Sequence, residues 1–442
     1  MTARNALFWI DSFLKQLFPL QRSLSGEGNR ETLRILAELI PLTVKEYPAG
    51  TRVYDWTIPD EWKIHDAWIS DSSGNRLVDF QKNNLHVVGY SEPVKIKMFF
   101  SELASRLHCL PSLPDAIPYR TSYYKRDWGF CVNAQQYEEL RNEKEELEVV
   151  IDSEFLPEGS MSIGELYIEG KRTDEYLVST YICHPSMAND NLSGIITAAL
   201  LAQSIIERGK PEYSWRFLFV PETIGPLAYL YHNEEAVKNI QGGLVVTCCG
   251  GPGKFGYKKS YLGNHVIDRA VVLAFRDLGI SPICYPFYPT GSDERQYSSP
   301  GFRIPVVSVC KDKYYEYREY HTSLDNLELV TAGQIGEALS VYIELQKILD
   351  GNSPYQSTVS KGEPNLGKRG LYPSTGGGNK QPGSLQEASE TGHSDLDAIT
   401  WLLFLADGKH DLMTVAERSG IRFEKLAMIA SRLEEHKLIA TA

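Results

Sequence analysis

Between residues 175 and 310 the chain repeats one pattern that few folds can accommodate. Nearly continuous apolar runs alternate with longer amphipathic stretches: EYLVSTYIC precedes NLSGIITAALLAQSIIERG, WRFLFV precedes PLAYLYHNEEAVKN, GGLVVTCC precedes VIDRAVVLAFRDLG, and RIPVVSVC closes the series. A strand without polar alternation is apolar on both faces and needs cover above and below. The pattern therefore predicts an α/β domain whose mostly parallel central sheet is flanked by helices. Ligands of such sheets bind beyond the carboxyl ends of the strands, and the search for chemistry starts there.

The flanking segments have other textures. Residues 1 to about 45 read as two helices joined by SLSGEG, a connection rather than a phosphate loop, since no Gly-Lys-Ser/Thr follows. DAWISDSSGNRLVDF is two short segments about a turn, LHVVGY follows as a strand, and in VKIKMFF the apolar Val94, Ile96 and Met98 alternate with Lys95 and Lys97. That period belongs to half-exposed antiparallel strands. Residues 351–393 are rich in Gly, Pro, Ser and Asn, as in STGGGNKQPGS, and read as a linker. Within it EPNLGKRGLYP has apolar and basic residues suited to packing back on the catalytic domain. Residues 394–442 carry three helical patterns, the last two joined by a short Gly-containing turn in the manner of a helix-turn-helix. The expected division is a catalytic domain of residues 1–48 and 136–350, an inserted small β-rich domain of 49–135, a partly packed linker of 351–393 and a helix-turn-helix domain of 394–442.

Charge narrows the partners. With 57 acidic against 45 basic residues the net charge is −12, which disfavours attraction to nucleic acid or to an anionic membrane. The helix-turn-helix segment itself carries six Lys or Arg against eight Asp or Glu and lacks the basic footprint that phosphate contact needs. A protein contact or homo-oligomerisation is its expected role. Seven cysteines without regular spacing argue against a disulfide framework, and the first 21 residues form an interrupted helical stripe rather than a signal peptide. The expected location is cytoplasmic.

The strand ends place four polar residues at one sheet edge. His184 follows YLVSTYIC, Asp190 precedes the next helix, Glu222 lies just beyond WRFLFV, and His321 stands in EYHTSLDN beyond RIPVVSVC. Singly each has an ordinary explanation, such as a helix cap for the aspartate. Together, two imidazoles and a carboxylate make three zinc ligands with a fourth position open to water, the pattern of a catalytic site. A carboxylate such as Glu222 can take the proton from that water as it attacks a carbonyl. Arg120, Tyr124, Arg126, Tyr320 and Arg369, in loops rich in Arg and Tyr, are candidates for substrate binding, the arginines through paired hydrogen bonds to a carboxylate.

Several segments resemble a known family. ANDNLSG is similar to the metal-bridging aspartate segment of the zinc aminopeptidases with two co-catalytic metals. PETIG resembles their Glu-Glu-x-Gly segment, and GSDERQYSSPGFRIPVV and EYHTSLDN resemble their Ser-Asp segment and final histidine ligand. The resemblance, over roughly residues 140–350, implies His184, Asp190 and His321 as metal ligands and Glu222 as general base. The family's second glutamate is replaced by Thr223, and VVTCCGG offers no carboxylate where another ligand aspartate stands. One Zn2+ per chain is therefore expected, with Cys248 in a buried apolar role rather than as a ligand. Nearly the whole chain resembles a bacterial aminopeptidase-like group with a small β-domain of the type YDWTIPDEWKIHDAWISDSSGN inserted in the peptidase-like domain and a C-terminal winged helix-turn-helix. That group is associated with polysaccharide biosynthesis.

Three functions follow as expectations. The first is a mononuclear zinc hydrolase of a peptide or amide bond, aminopeptidase-like or carboxypeptidase-like. The second is a zinc-dependent amidohydrolase or acyltransferase acting on an N-acyl sugar or related metabolite. The third is a catalytically silent metal-containing binding protein.

Overall fold

The computed structural model describes residues 3–371 and 394–442; most of the expected linker, including STGGGNKQPGS, lies outside the described residues. The chain forms two compact units, Met1–His265 with Pro282–Ser340, and Val266–Ser281 with Val341–Ala442.

The first unit is built on an eight-stranded sheet. Its strands are β1 (Thr43–Pro48), β2 (Ser160–Ile168), β3 (Glu175–Tyr181), β4 (Ser214–Val220), β5 (Ile240–Val246), β6 (Phe255–Lys258), β7 (Ile283–Tyr285) and β8 (Val306–Lys311). They lie side by side in the order β1-β2-β4-β3-β5-β8-β6-β7. The central run β4-β3-β5-β8 is parallel, as the apolar strands predict, while β1, β2 and β6 add antiparallel pairings. Every residue of β3 and β8 is buried, which is why these strands show no polar alternation. The helix Gly194–Arg208 after β3 is buried from Gly194 through Ala202, so it too is apolar nearly all round.

An ion pair is built into the sheet. Arg216 of β4 makes paired hydrogen bonds to Glu175 at 2.7 and 2.9 Å and also bonds Glu165, and the Glu175 side chain is only 2% exposed. Neither charge could be tolerated there without the other.

The small β-rich region is an antiparallel sheet in the order Arg76–Asp79, Glu61–Ser70, Leu147–Leu156, Val94–Met98. One of its two long strands, Leu147–Leu156, lies beyond the expected boundary at 135. It pairs with Glu61–Ser70 from Glu61↔Leu156 to Ser70↔Glu148 before the chain turns into β2. LHVVGY does not extend as a strand: Asn84–His86 form a 3-10 turn capped by Asn83, and the residues after it make only isolated bridges. Trp62, Ile69, Val78 and Val149 belong to the same buried cluster as Leu177, Tyr181 and Val220, so this sheet shares a core with the main one.

In the second unit the helices Asp395–Leu405, Leu412–Ser419 and Phe423–Glu435 are accompanied by a three-stranded sheet. Gly420, at φ +73°, ends the middle helix and makes the turn to the next. The central strand of that sheet is Pro354–Ser357, within the expected linker, paired with Asp407–Asp411 and Ile439–Thr441. Four residues are too short for a strand pattern to stand out from a Gly/Pro-rich surround, and only their distant partners identify them. Leu366 and Leu371 of EPNLGKRGLYP are buried, as their apolar character suggests, and they belong to this second unit. No helix among the described residues is long and apolar enough to cross a membrane.

Candidate metal centre

The parallel strands β3, β4, β5 and β8 end on the loops that carry His184, Glu222, Cys248 and His321. His184 lies three residues beyond β3, its carbonyl held by Nε of the buried Arg22 at 2.9 Å. The rings of Tyr181 and Tyr119 flank its imidazole, at centroid distances of 4.8 and 5.3 Å. Burial, opposed only in part by Asp190, pushes the His184 pKa down to about 4, so the ring is neutral and able to ligate.

Asp190 is fully buried. Its Oδ1 accepts from the Tyr181 hydroxyl, and its backbone is fixed by Asp325, whose carboxylate accepts from Asn189 N at 2.6 Å and Asp190 N at 2.9 Å. Tyr317 donates to the same Asp325 carboxylate at 2.8 Å. Burial raises the Asp190 pKa, but His184, His321 and the Tyr181 hydroxyl outweigh it, and the carboxyl is held below its ordinary value.

His321 adopts φ +55°, a conformation uncommon outside glycine, which turns the chain sharply at the site. Tyr320 stacks on its ring at 4.0 Å with an interplanar angle of 14°, and Tyr119 meets it edge-on at 5.2 Å. Its carbonyl accepts from Tyr119 N at 2.8 Å. Nε2 of His321 lies 3.0 Å from Asp190 Oδ2, and Nε2 of His184 lies 4.0 Å from the same oxygen. Asp190 Oδ2 and His321 Nε2 are both buried and have no partner beyond this close approach to each other. Orphaned polar atoms of this kind call for a ligand. Ligand atoms of His184, Asp190 and His321 all lie within 4.8 Å of one another, and two imidazole nitrogens with one carboxylate oxygen suit a divalent transition metal.

Glu222 stands beside this triad, with Oε2 4.0 Å from His184 Nε2 and Oε1 accepting from Ser292 Oγ at 3.1 Å. Burial, then the charge of Asp190, raises its pKa to about 7. Asp293 accepts from Thr223 N at 2.7 Å, and burial together with Glu222 pushes its carboxyl up as well. Thr223, at φ +66°, puts a hydroxyl where the resemblance would place a second carboxylate, and that hydroxyl accepts from Arg295 Nη2 at 3.4 Å. Cys248 is fully buried with Sγ 4.0 Å from Asp190 Oδ1, and burial, then the charge of Asp190, pushes its thiol pKa well up.

Of the residues considered for substrate, Tyr320 alone touches the centre. Arg126 is paired with Asp60 at 2.6 Å and lies over the Phe155 ring at 3.6 Å, and Tyr124 meets Trp56 edge-on at 5.2 Å. Both line a cavity of about 300 Å³ with Tyr90 and Tyr123. Tyr123 reaches the centre only through its hydroxyl contact with Tyr119, at 2.7 Å. Arg120 is exposed. Arg369 lies in the second unit, where Nη1 donates to the Asn365 carbonyl at 3.0 Å. Arg22, Tyr119, Tyr181, Arg295 and Asp325 were not singled out from the sequence. Ser292 and Asp293 entered it only as the Ser-Asp segment of GSDERQ, without a role, and Asp325 stands in EYHTSLDN with His321.

Known proteins agree with this architecture. Residues 11–352 match the family model described as a domain of unknown function (DUF4910), and residues 353–441 match a winged helix-turn-helix model. A Clostridium acetobutylicum protein, named provisionally as a polysaccharide biosynthesis protein with aminopeptidase-like domain, is 41% identical over 430 residues, 97% of this chain and 95% of that one. A crystal structure from C. acetobutylicum, titled provisionally as a peptidase, superposes with a TM-score of 0.90 at 38% identity, covering 100% of this chain and 98% of that one. The zinc aminopeptidase BSAP of Bacillus subtilis shares the fold, with a TM-score of 0.58 at 13% identity over 79% of this chain and 95% of that one. The chain belongs to the DUF4910 family of aminopeptidase-like proteins and carries a C-terminal winged helix-turn-helix domain.

Proposed function

We propose that this protein hydrolyses a peptide or other amide bond, using one zinc ion held by His184, Asp190 and His321 and Glu222 as the proton acceptor. The observation that carries the reading is the convergence of two orphaned buried atoms, Asp190 Oδ2 and His321 Nε2, beside a neutral His184. A zinc ion there would supply Lewis acidity to a carbonyl and acidify water. Glu222, with its pKa near 7, can take up a proton and return it to a leaving amine at neutral pH. Ser292 fixes one of its oxygens, and Asp325 and Tyr181 hold Asp190 in place. Tyr320 and Tyr119 set the plane of His321. Thr223, a hydroxyl where the resemblance would place a second carboxylate, supports a single metal rather than two. The test is metal analysis with turnover: one zinc per chain is expected, and Glu222→Gln should keep that zinc while abolishing hydrolysis of any amide the wild type cleaves. Two zincs per chain would overturn the mononuclear reading.

The name of the Clostridium relative favours a second reading, in which the amide is borne by an N-acyl sugar or related metabolite and is hydrolysed or transferred. Parallel assays of peptides and N-acyl sugars with zinc-loaded and chelated protein separate the two. Seven cysteines without a disulfide suit a reducing, cytoplasmic setting. The winged helix is proposed as a protein contact rather than a nucleic-acid reader, on the grounds of its acidic balance.

A further inference from the structure

Arg295 lies two residues beyond Asp293 on the short helix Glu294–Tyr297, close enough for its charge to act on both Glu222 and Asp293. The nearby lysines are committed, Lys258 to Glu294 and Lys311 to Glu337, and the buried Arg22 is anchored by the carbonyls of Leu17 and His184, with its Nη2 left unpartnered. Arg295 has no such anchor. Among the described residues it forms no ion pair, its one hydrogen bond reaches Thr223 Oγ1 at 3.4 Å, and its Nε is buried with no partner. A guanidinium with open donors at the edge of a site is matched by a planar oxyanion, which it binds through two parallel hydrogen bonds. Ionised Glu222, whose pKa lies near 7 and on which the charge of Arg295 acts, disfavours a doubly charged phosphate beside it more than a singly charged carboxylate.

We propose that Arg295 receives a substrate carboxylate flanking the scissile amide. The substrates would then be N-acyl amino acids and short peptides with a free carboxylate. This rests on the amide-hydrolase reading only for the position of the bond.

The test separates binding from turnover by using the zinc-loaded full chain carrying Glu222→Gln. Calorimetry compares N-acetylalanine and Ala-Ala with their carboxamides, and with the phosphonate analogue of N-acetylalanine, in that background and with Arg295→Gln or Arg295→Lys added. A charged hydrogen-bonded pair predicts a preference of ~10- to 100-fold for carboxylate over carboxamide. That preference should vanish in Arg295→Gln and survive in reduced form in Arg295→Lys, whose point charge cannot pair bidentately. Equal affinity for acid and amide, no measurable binding of either, discrimination unchanged in Arg295→Gln, or tighter binding of the phosphonate would overturn the proposal. Hydrolysis by the wild-type protein is scored separately, so failure of the hydrolase reading leaves this result interpretable.

Discussion

The most informative perturbation is Glu222→Gln read as a stability change in metal-free protein. Burial and Asp190 raise the Glu222 pKa from 4.5 to about 7. A carboxyl whose folded-state pKa lies above its unfolded value favours folding below the unfolded value, and that contribution is lost as pH rises through the folded one. Between pH 4.5 and 8 the ionised Glu222 therefore becomes progressively unfavourable to the fold, while glutamine stays neutral throughout. A rise of this size is a ceiling of about 3 kcal/mol, and with the side chain 28% exposed, solvent screening brings the expected gain to about 1–2 kcal/mol. Part of the relief appears at Asp293, whose own ionisation Glu222 opposes. The assay is thermal unfolding of chelated wild-type and Glu222→Gln protein at pH 4.5 and 8. The variant should melt a few degrees higher at pH 8 and no higher at pH 4.5, and added zinc, whose charge favours the ionised carboxylate, should shrink the difference. A pH-independent difference, or a variant less stable at pH 8, would refute the account of Glu222 as a desolvated, charge-opposed base.

Arg216→Leu should destabilise the first unit by about 3–5 kcal/mol by stranding Glu175 in the sheet, measured by chemical denaturation. Asp325→Asn, which can no longer offer two acceptor oxygens to the Asn189 and Asp190 amides, should weaken zinc binding about 10- to 100-fold in a chelator competition. Removal of residues 353–442 should change oligomeric state or partner binding by light scattering and pull-down; unchanged behaviour in both would count against the winged helix as a protein contact.

Legibility in the sequence followed distance along the chain. His184 and Glu222 were visible because each directly follows an apolar strand, and in a parallel sheet strand ends converge. His321, separated from β8 by a Tyr-rich loop, was reached through the same logic and its motif. Arg295 and Asp325 act through partners some 70 and 135 residues away, Thr223 and Asp190, and no periodicity encodes such pairings. Arg126 illustrates the converse: its loop looked apt for ligand, yet Asp60 and Phe155 occupy its guanidinium. The strands Leu147–Leu156 and Pro354–Ser357 were likewise misallotted because sheet membership depends on the partner strand, which lies elsewhere.

The backbone bridge between Tyr119 and His321 has a bearing on how this family could diversify. Tyr119 N donates to the His321 carbonyl, and Ile117 and Ser323 exchange hydrogen bonds beside it, so the insertion supplies one wall of the centre. Recombination that trades only the residues between 49 and 135 would leave Leu147–Leu156 facing a foreign partner. The exchangeable module is the longer stretch that ends at Leu156. Relatives that swapped it whole could acquire a new substrate preference while keeping the same three ligands.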